Sequence, residues 1–305
     1  LEQYRHATYS ATDYYEEALC RDPGDVRNNN AMGLWLIRKG QFAKAEPYLR
    51  RAVKTLTEKN PNPYDGEPLY NLGLSLKYQG KTDEAYDYFY KACWNAAWQD
   101  AGYYSLAQLS ASKGNWEDAL YEIDKSLLRN WHNLRGRHLK VVILRHLGLV
   151  DEALALIRES LAIDRFNFGC SFEEYLLTGE KAVLDDLLVR MRSEGHNYEE
   201  LSLDYASAGC WEEALKVVEV AFESVVSERT LLYYYKSWFL LSLGRLKEAE
   251  MAICVAERQP ADCCFPNALE AITALQTVIR FTDAVPKAHY YLGNLWYDKR
   301  QYPEA

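Results

Sequence analysis

No apolar run in this sequence reaches the ~18 residues that a bilayer-spanning helix needs. Even the stretch from Leu231 to Leu243 is interrupted by Lys236 and Ser237, so no membrane segment is expected. Blocks of basic residues are also missing. The chain has 35 Lys and Arg against 44 Asp and Glu, a net charge of −9, which argues against nucleic acid or an anionic membrane as the principal ligand. Nor is there a C-x-x-C spacing. The seven cysteines, Cys20, Cys93, Cys170, Cys210, Cys254, Cys263 and Cys264, are odd in number and scattered, so a reducing compartment is the simpler expectation and the chain is expected to be cytoplasmic. Adjacent Cys263 and Cys264 have no histidine near them in the sequence and read as small apolar residues at a helix junction. The six histidines, His6, His132, His138, His146, His196 and His289, show no metal-ligand spacing along one helix face. No phosphate-cradling glycine loop or nucleophile elbow occurs. No cofactor, metal ligand or catalytic residue is expected, and the chain is read as non-enzymatic. It opens on Leu1, with neither an initiating methionine nor a signal peptide and with a helical pattern already running, and so reads as a piece of a longer protein.

What is present is a repeat. Gly40, Gly80, Gly114, Gly148, Gly209 and Gly244 are each followed five residues later by alanine: Ala45, Ala85, Ala119, Ala153, Ala214 and Ala249. Nine residues past the glycines stand Leu49, Phe89, Ile123, Ile157, Val218 and Ile253; twelve past stand Ala52, Ala92, Ser126, Ser160, Ala221 and Ala256. A glycine ends a helix in the left-handed conformation at no Cβ cost. Small residues seven apart on the next helix lie two turns along one face, so the preceding helix can approach closely at both, with the large residue between them filling the gap. Most intervals between glycines are close to 34 residues, the signature of a stacked helical array in which each pair is stabilised by its neighbours.

The pattern predicts the organisation in detail. Residues 1–24 supply the second half of a repeat, with Ala11, Tyr15, Ala18 and Leu19 at helical spacing and Pro23 closing it. Whole pairs follow at 26–58, about 66–97, 100–131 and 134–165, so that 1–165 reads as a regular array whose first unit is partial. Residues 166–197 read as a divergent, shortened repeat: Gly179 divides it, yet Leu184 and Met191 stand where alanines belong. Residues 198–305 hold further units. Two regular pairs reach 259, one helix runs to about Thr282, and Pro286 opens a last pair that stops at Ala305, its own alanine slot.

Tyr70-Asn71-Leu72-Gly73 with Gly80, Ala85, Phe89 and Ala92, and Tyr291-Leu292-Gly293 with Tyr302 and Ala305, resemble tetratricopeptide repeats, and the likeness extends over nearly the whole chain in about eight units. The resemblance implies an all-α fold, a right-handed α-solenoid of antiparallel helix pairs whose first helices line a concave face. Tyr103-Tyr104-Ser105-Leu106-Ala107-Gln108 after Trp94-Asn95-Ala96-Ala97-Trp98, with the segment Tyr290 to Arg300, further resembles the C-terminal repeats of large bacterial proteins of an uncharacterised family. Their N-terminal part looks like a β-rich, carbohydrate-related region.

On that family frame, residues ten, six and three before each glycine form a stripe on each first helix. They read Asn30, Leu34, Ile37; Tyr70, Leu74, Lys77; Tyr104, Gln108, Ala111; His138, Val142, Arg145; Glu199, Leu203, Ala206; Tyr234, Trp238, Leu241; and Tyr290, Asn294, Tyr297 in the last pair. The expected partner surface is Asn30, Tyr70, Lys77, Tyr104, Gln108, His138, Arg145, Tyr234, Trp238, Tyr290, Asn294 and Tyr297. Chaperone-binding members of the family hold a terminal carboxylate with lysine and asparagine, but Leu34 and Leu74 stand in the asparagine slots, so that clamp is not expected. The expected partner is a protein or peptide, or a neighbouring domain of the same polypeptide. An alternative is an accessory region of a carbohydrate-active protein, its 24 Tyr and 8 Trp stacking on sugar rings.

Several residues have structural readings beside the functional ones. Trp116 and Trp211 fall where the family pattern buries an aromatic. Trp94, Trp98 and Trp131 sit at turns between repeats, where they would staple neighbours. His138 and His146 with Arg145 could collect an anion or form a solvated basic patch. Glu117-Asp118, Asp151-Glu152 and Glu212-Glu213 open second helices, where negative charge complements the helix dipole.

Overall fold

The computed structural model describes residues 11–224, 229–262 and 264–305, and the readings placed on Leu1, His6 and Cys263 lie outside them. Its described residues form seventeen α-helices and no strand. In order these are α1 (Ala11–Arg21), α2 (Val26–Arg38), α3 (Phe42–Thr57), α4 (Glu67–Tyr78), α5 (Thr82–Ala92), α6 (Gln99–Ser112), α7 (Trp116–Arg129), α8 (Leu134–His146), α9 (Val150–Ile163), α10 (Phe168–Thr178), α11 (Lys181–Met191), α12 (Gly195–Ser207), α13 (Trp211–Ser224), α14 (Arg229–Ser242), α15 (Leu246–Arg258), α16 (Leu269–Phe281) and α17 (Pro286–Asp298). A 3-10 turn, Ala96–Trp98, precedes α6. None of these helices is long and apolar enough to cross a membrane.

The glycine slots do what their chemistry allows. Gly40, Gly80, Gly114, Gly148, Gly209 and Gly244 all have φ between 72 and 76°. In each turn the next residue's N–H reaches back five residues, as from Gln41 to the Leu36 carbonyl (2.9 Å) and from Lys81 to that of Leu76 (3.0 Å). Carbonyls that the ending helix would leave unpaired are thereby satisfied. Arg300, five residues before Ala305, takes the same role at φ 57° without being glycine, and the Gln301 N–H bonds the Trp296 carbonyl at 2.8 Å.

All six slot alanines are wholly buried, as are Leu49, Phe89, Ile123, Ile157 and Val218 between them. The large residue presses on a small one in the preceding helix. A Cβ on Gly33 would lie 2.4 Å from Leu49 Cγ, and one on Gly73 2.7 Å from the Phe89 ring. Neither helix of a pair could approach so closely with a side chain there, and burying each such apolar group contributes about 2 kcal/mol. Polar bonds add to this at the second helices: Glu46 on α3 receives Arg50 (2.8 Å), Gln79 (2.9 Å) and Lys81 (2.7 Å). Partial burial opposes its charge, but those donors hold the Glu46 carboxyl down at about 2.

The chain divides into two compact units at the Leu106–Ala107 bond, within α6. In the first, α1 packs on α2, and the α2/α3 and α4/α5 hairpins stack in turn. The second contains α7 to α17. Its departures from regularity are the hairpin α10/α11, only 11 residues per helix, and the ten-residue link 259–268 carrying Pro260 and Pro266. After that link, α16 packs against both α14 and α17. It exposes only Arg280, its other residues being buried or half-buried.

Candidate partner-binding surface

In the first unit the stripe sits on α2, α4 and the start of α6. Asp25 accepts from the Asn28 N–H (2.6 Å) to start α2, and the Pro68 ring starts α4. Asn30 is buried and accepts from Asn71 Nδ2 at 2.9 Å, so it joins two first helices rather than facing a partner. Ile37 is buried as well. Leu34, Tyr70, Leu74, Lys77 and Tyr104 remain half-exposed. The Tyr70 ring lies 5.3 Å from Phe89 and 5.0 Å from Trp98, and its hydroxyl lies 3.5 Å from the Ser105 hydroxyl that donates to it. One edge of the ring is thus fixed by the junction between repeats, and burial pushes its phenol up. Trp98 also packs against Gly66, where a Cβ would meet its Cδ1 at 2.8 Å. It staples adjacent repeats, whereas Trp94 is about half exposed.

On α6, α8, α12 and α14 of the second unit much of the same stripe is turned into internal structure, which corrects several expectations. Gln108 is buried. His138 is buried too: its ring meets Tyr205 of α12 edge-on at 4.8 Å and fills the space beside Gly169 of α10, where a Cβ would fall 2.3 Å from its Cγ. Burial, with Arg145 and Arg135 adding like charge, holds His138 neutral down to about 3. Arg145 forms neither an anion site nor a solvated basic patch. Its Nε donates to Glu173 Oε2 at 2.6 Å and its Nη2 to Glu213 Oε1 at 2.7 Å. Glu173 is wholly buried and also receives the Tyr205 hydroxyl at 2.7 Å. Arg135 reaches Glu200 and, at 3.5 Å, Asp204 on α12. Burial raises the Asp204 carboxyl to about 6, with Arg135 opposing.

Glu213 consequently does more than complement a helix dipole. Arg145 and His146 both bond it and, against the upward push of burial, hold it at about 2. Trp116 is half-buried rather than core, lying flat on the His146 ring at 4.0 Å with an interplanar angle of 5°. Trp131, with the buried Arg137 guanidinium 4.3 Å from its ring centre, acts as a staple. His146, Cys210 and Glu213, from the end of one helix and the start of another, place a ligand-type atom each within 4.8 Å of one another. Their spacing along the chain gave no sign of this, since 64 residues separate the first two.

Farther along, Tyr234 is 0 % exposed and cannot face a partner. Its hydroxyl donates to Glu257 Oε1 at 2.7 Å, and the same carboxylate receives the N–H groups of Lys287 (3.0 Å) and Ala288 (3.2 Å) at the start of α17. Trp238 is half-buried, 5.5 Å from Trp211 and 5.4 Å from Phe239, and Trp211 is likewise only half-buried. On α17 the expected face is open: Tyr290 and Tyr297 are exposed and Asn294 half-exposed. Cys264 is buried, as a small apolar residue at a junction should be.

Comparison with known proteins agrees with this geometry. Residues 66–93, the α4/α5 hairpin, match the family model described as tetratricopeptide repeat. A tetratricopeptide repeat protein from Parabacteroides merdae superposes with a TM-score of 0.50 at 19 % identity, over 78 % of this chain and 94 % of that one. The Cut9–Hcn1 hetero-tetramer of the APC/C matches with a TM-score of 0.50 at 13 % identity, over 77 % of this chain and 45 % of the other. The protein is therefore an all-α, solenoid-like fold of the tetratricopeptide-repeat type, with its family-matching repeat at residues 66–93.

Proposed function

We propose that the protein is a non-catalytic interaction scaffold that binds a peptide or a neighbouring protein domain along the stripe of its first unit. The observation that carries this is the half-open row of Leu34, Tyr70, Leu74 and Tyr104 on successive first helices, in a unit whose remaining large apolar side chains on those helices are mostly closed. Such a row offers apolar surface with hydroxyl edges, the composition of interface hot spots. Tetratricopeptide-repeat proteins generally mediate protein or peptide interactions. The pairing of buried charges in the second unit, each with a structural partner, fits a scaffold role.

The test is selection of peptide ligands from a displayed library on the whole protein, followed by anisotropy titration. Leu34→Glu with Leu74→Glu should weaken binding about 30-fold, the effect of losing about 2 kcal/mol at a hot spot, with the melting temperature nearly unchanged. Ligands that bind this double variant and Tyr104→Ala as tightly as the parent would place the docking surface elsewhere.

A further inference from the structure

The geometry points to a divalent transition-metal site of the zinc class formed by His146, Cys210 and Glu213. The three side chains supply nitrogen, sulfur and carboxylate oxygen, the donor set that such ions take in three-ligand sites with a fourth position left open. Their ligand atoms lie within 4.8 Å of one another. Around a tetrahedral ion with bonds of about 2.0–2.3 Å, ligand atoms stand roughly 3.3–3.8 Å apart. His146 Nε2 and Glu213 Oε1, at 3.2 Å, are already near that separation, and the Cys210 sulfur lies no farther than 4.8 Å from either.

Each ligand is held in place by the repeat structure around it. Cys210 and Glu213 are three residues apart at the start of α13, hence on one face of its first turn. The Cys210 backbone N–H is pinned to the Tyr205 carbonyl at 3.0 Å by the glycine turn. Residues in the corresponding position of the other five regular repeats are Gln41, Lys81, Asn115, Leu149 and Arg245, none a thiol. His146 ends α8, and its ring is held in plane by the stacked Trp116.

Charge also balances. Glu173, Glu213 and a Cys210 thiolate against the one cation Arg145 leave two negative charges, which a dication neutralises. On binding, the Cys210 S–H bond breaks, a metal–sulfur bond forms and one proton leaves to the solvent. Arg145 gives up its bond to Glu213 Oε1 and keeps its two bonds to Glu173, at 2.6 and 3.3 Å. A solvent-open cleft of about 420 Å³, lined by Arg145, Glu212, Glu213, Lys216, Glu219 and Arg245 among others, borders the cluster at Glu213.

The test uses the whole, untagged chain, stripped with chelator and titrated with Co²⁺. One equivalent should produce tetrahedral d–d absorption and a thiolate-to-cobalt charge-transfer band, both abolished by one equivalent of Zn²⁺. Cys210→Ser should remove the charge-transfer band, while Cys254→Ser, at an exposed thiol, should keep it. Glu213→Gln retains a hydrogen-bonding side chain and should weaken Co²⁺ binding at least about tenfold; it serves as the readout if the serine variant does not fold. Absence of the charge-transfer band in the parent, its survival in Cys210→Ser, or unchanged affinity in Glu213→Gln would each overturn the site.

Discussion

Leu34, Tyr70, Leu74 and Tyr104 in the first unit keep part of their surface in solvent, while His138, Val142, Leu203, Ala206 and Tyr234, at the same registers in the second, are closed off. Both units obey the same glycine, alanine and large-residue slots, so the difference does not come from packing within a helix pair. It comes from what reaches across first helices. In the second unit α10 offers Gly169 where the His138 ring can cross to Tyr205, and Arg145 spans to Glu173 and Glu213. Farther on, α16 packs against both α14 and α17. A repeat array can thus leave one register half open in one place and close it into a polar core in another, because the register fixes position on the helix and not what lies opposite.

The strongest way to break the comparison is Arg145→Ala, which leaves the wholly buried Glu173 without its cation. Urea titration should show a loss of about 3–5 kcal/mol, whereas Lys77→Ala, at the equivalent register of the first unit, should change stability by no more than about 0.5 kcal/mol. Equal effects would mean that both registers are surface. Next comes Ala119→Leu, which forces methylenes between two closed helices and should cost about 1–3 kcal/mol; a neutral result would contradict the slot register itself. The sequence pattern places Trp238 on the partner surface, where replacement by alanine would leave stability unchanged. With its ring against Trp211 and Phe239, Trp238→Ala should instead cost about 2 kcal/mol, below the range for a fully buried tryptophan, which calorimetry can detect.

The pH dependence sharpens the same contrast. Folding holds His138 at about 3, against 6.5 in the unfolded chain, so the unfolded state binds the extra proton. Its stabilisation is fully present above pH 6.5 and is lost as the pH falls toward 3, at up to about 1.4 kcal/mol per unit. His138→Gln should flatten that acid limb in melting curves taken across this range. Asp204 works in the opposite direction, since its folded value of about 6 lies above the ordinary 3.8. Asp204→Asn should therefore raise stability at pH 7.5, by about 1 kcal/mol after allowance for its partial exposure and its pairing with Arg135. If the variant melts at the same temperature as the parent at pH 7.5, the Asp204 environment is as wet as the first unit's stripe.

How much could be read from the residues alone follows from the range of each interaction. The glycine turn, the slot alanines and the large residue between them sit within 12 residues of one another, and their burial depends on a helix and its hairpin partner. Sequence spacing therefore determined the helices and their pairing, and the motifs at Tyr70–Gly73 and Tyr291–Gly293 carried the likeness to tetratricopeptide repeats; that Arg300 takes the turn conformation of a glycine ahead of Ala305 came from the structure. The fate of the stripe was decided only in three dimensions. Arg135 and Glu200 are 65 residues apart, Arg145 and Glu213 are 68 apart, and the ligand-type cluster at His146 spans a similar gap. Local periodicity carries no information about such distant partners, because whether Tyr234 is a docking ring or a buried one depends on the carboxylate and helices that pack over it, not on its place in the turn.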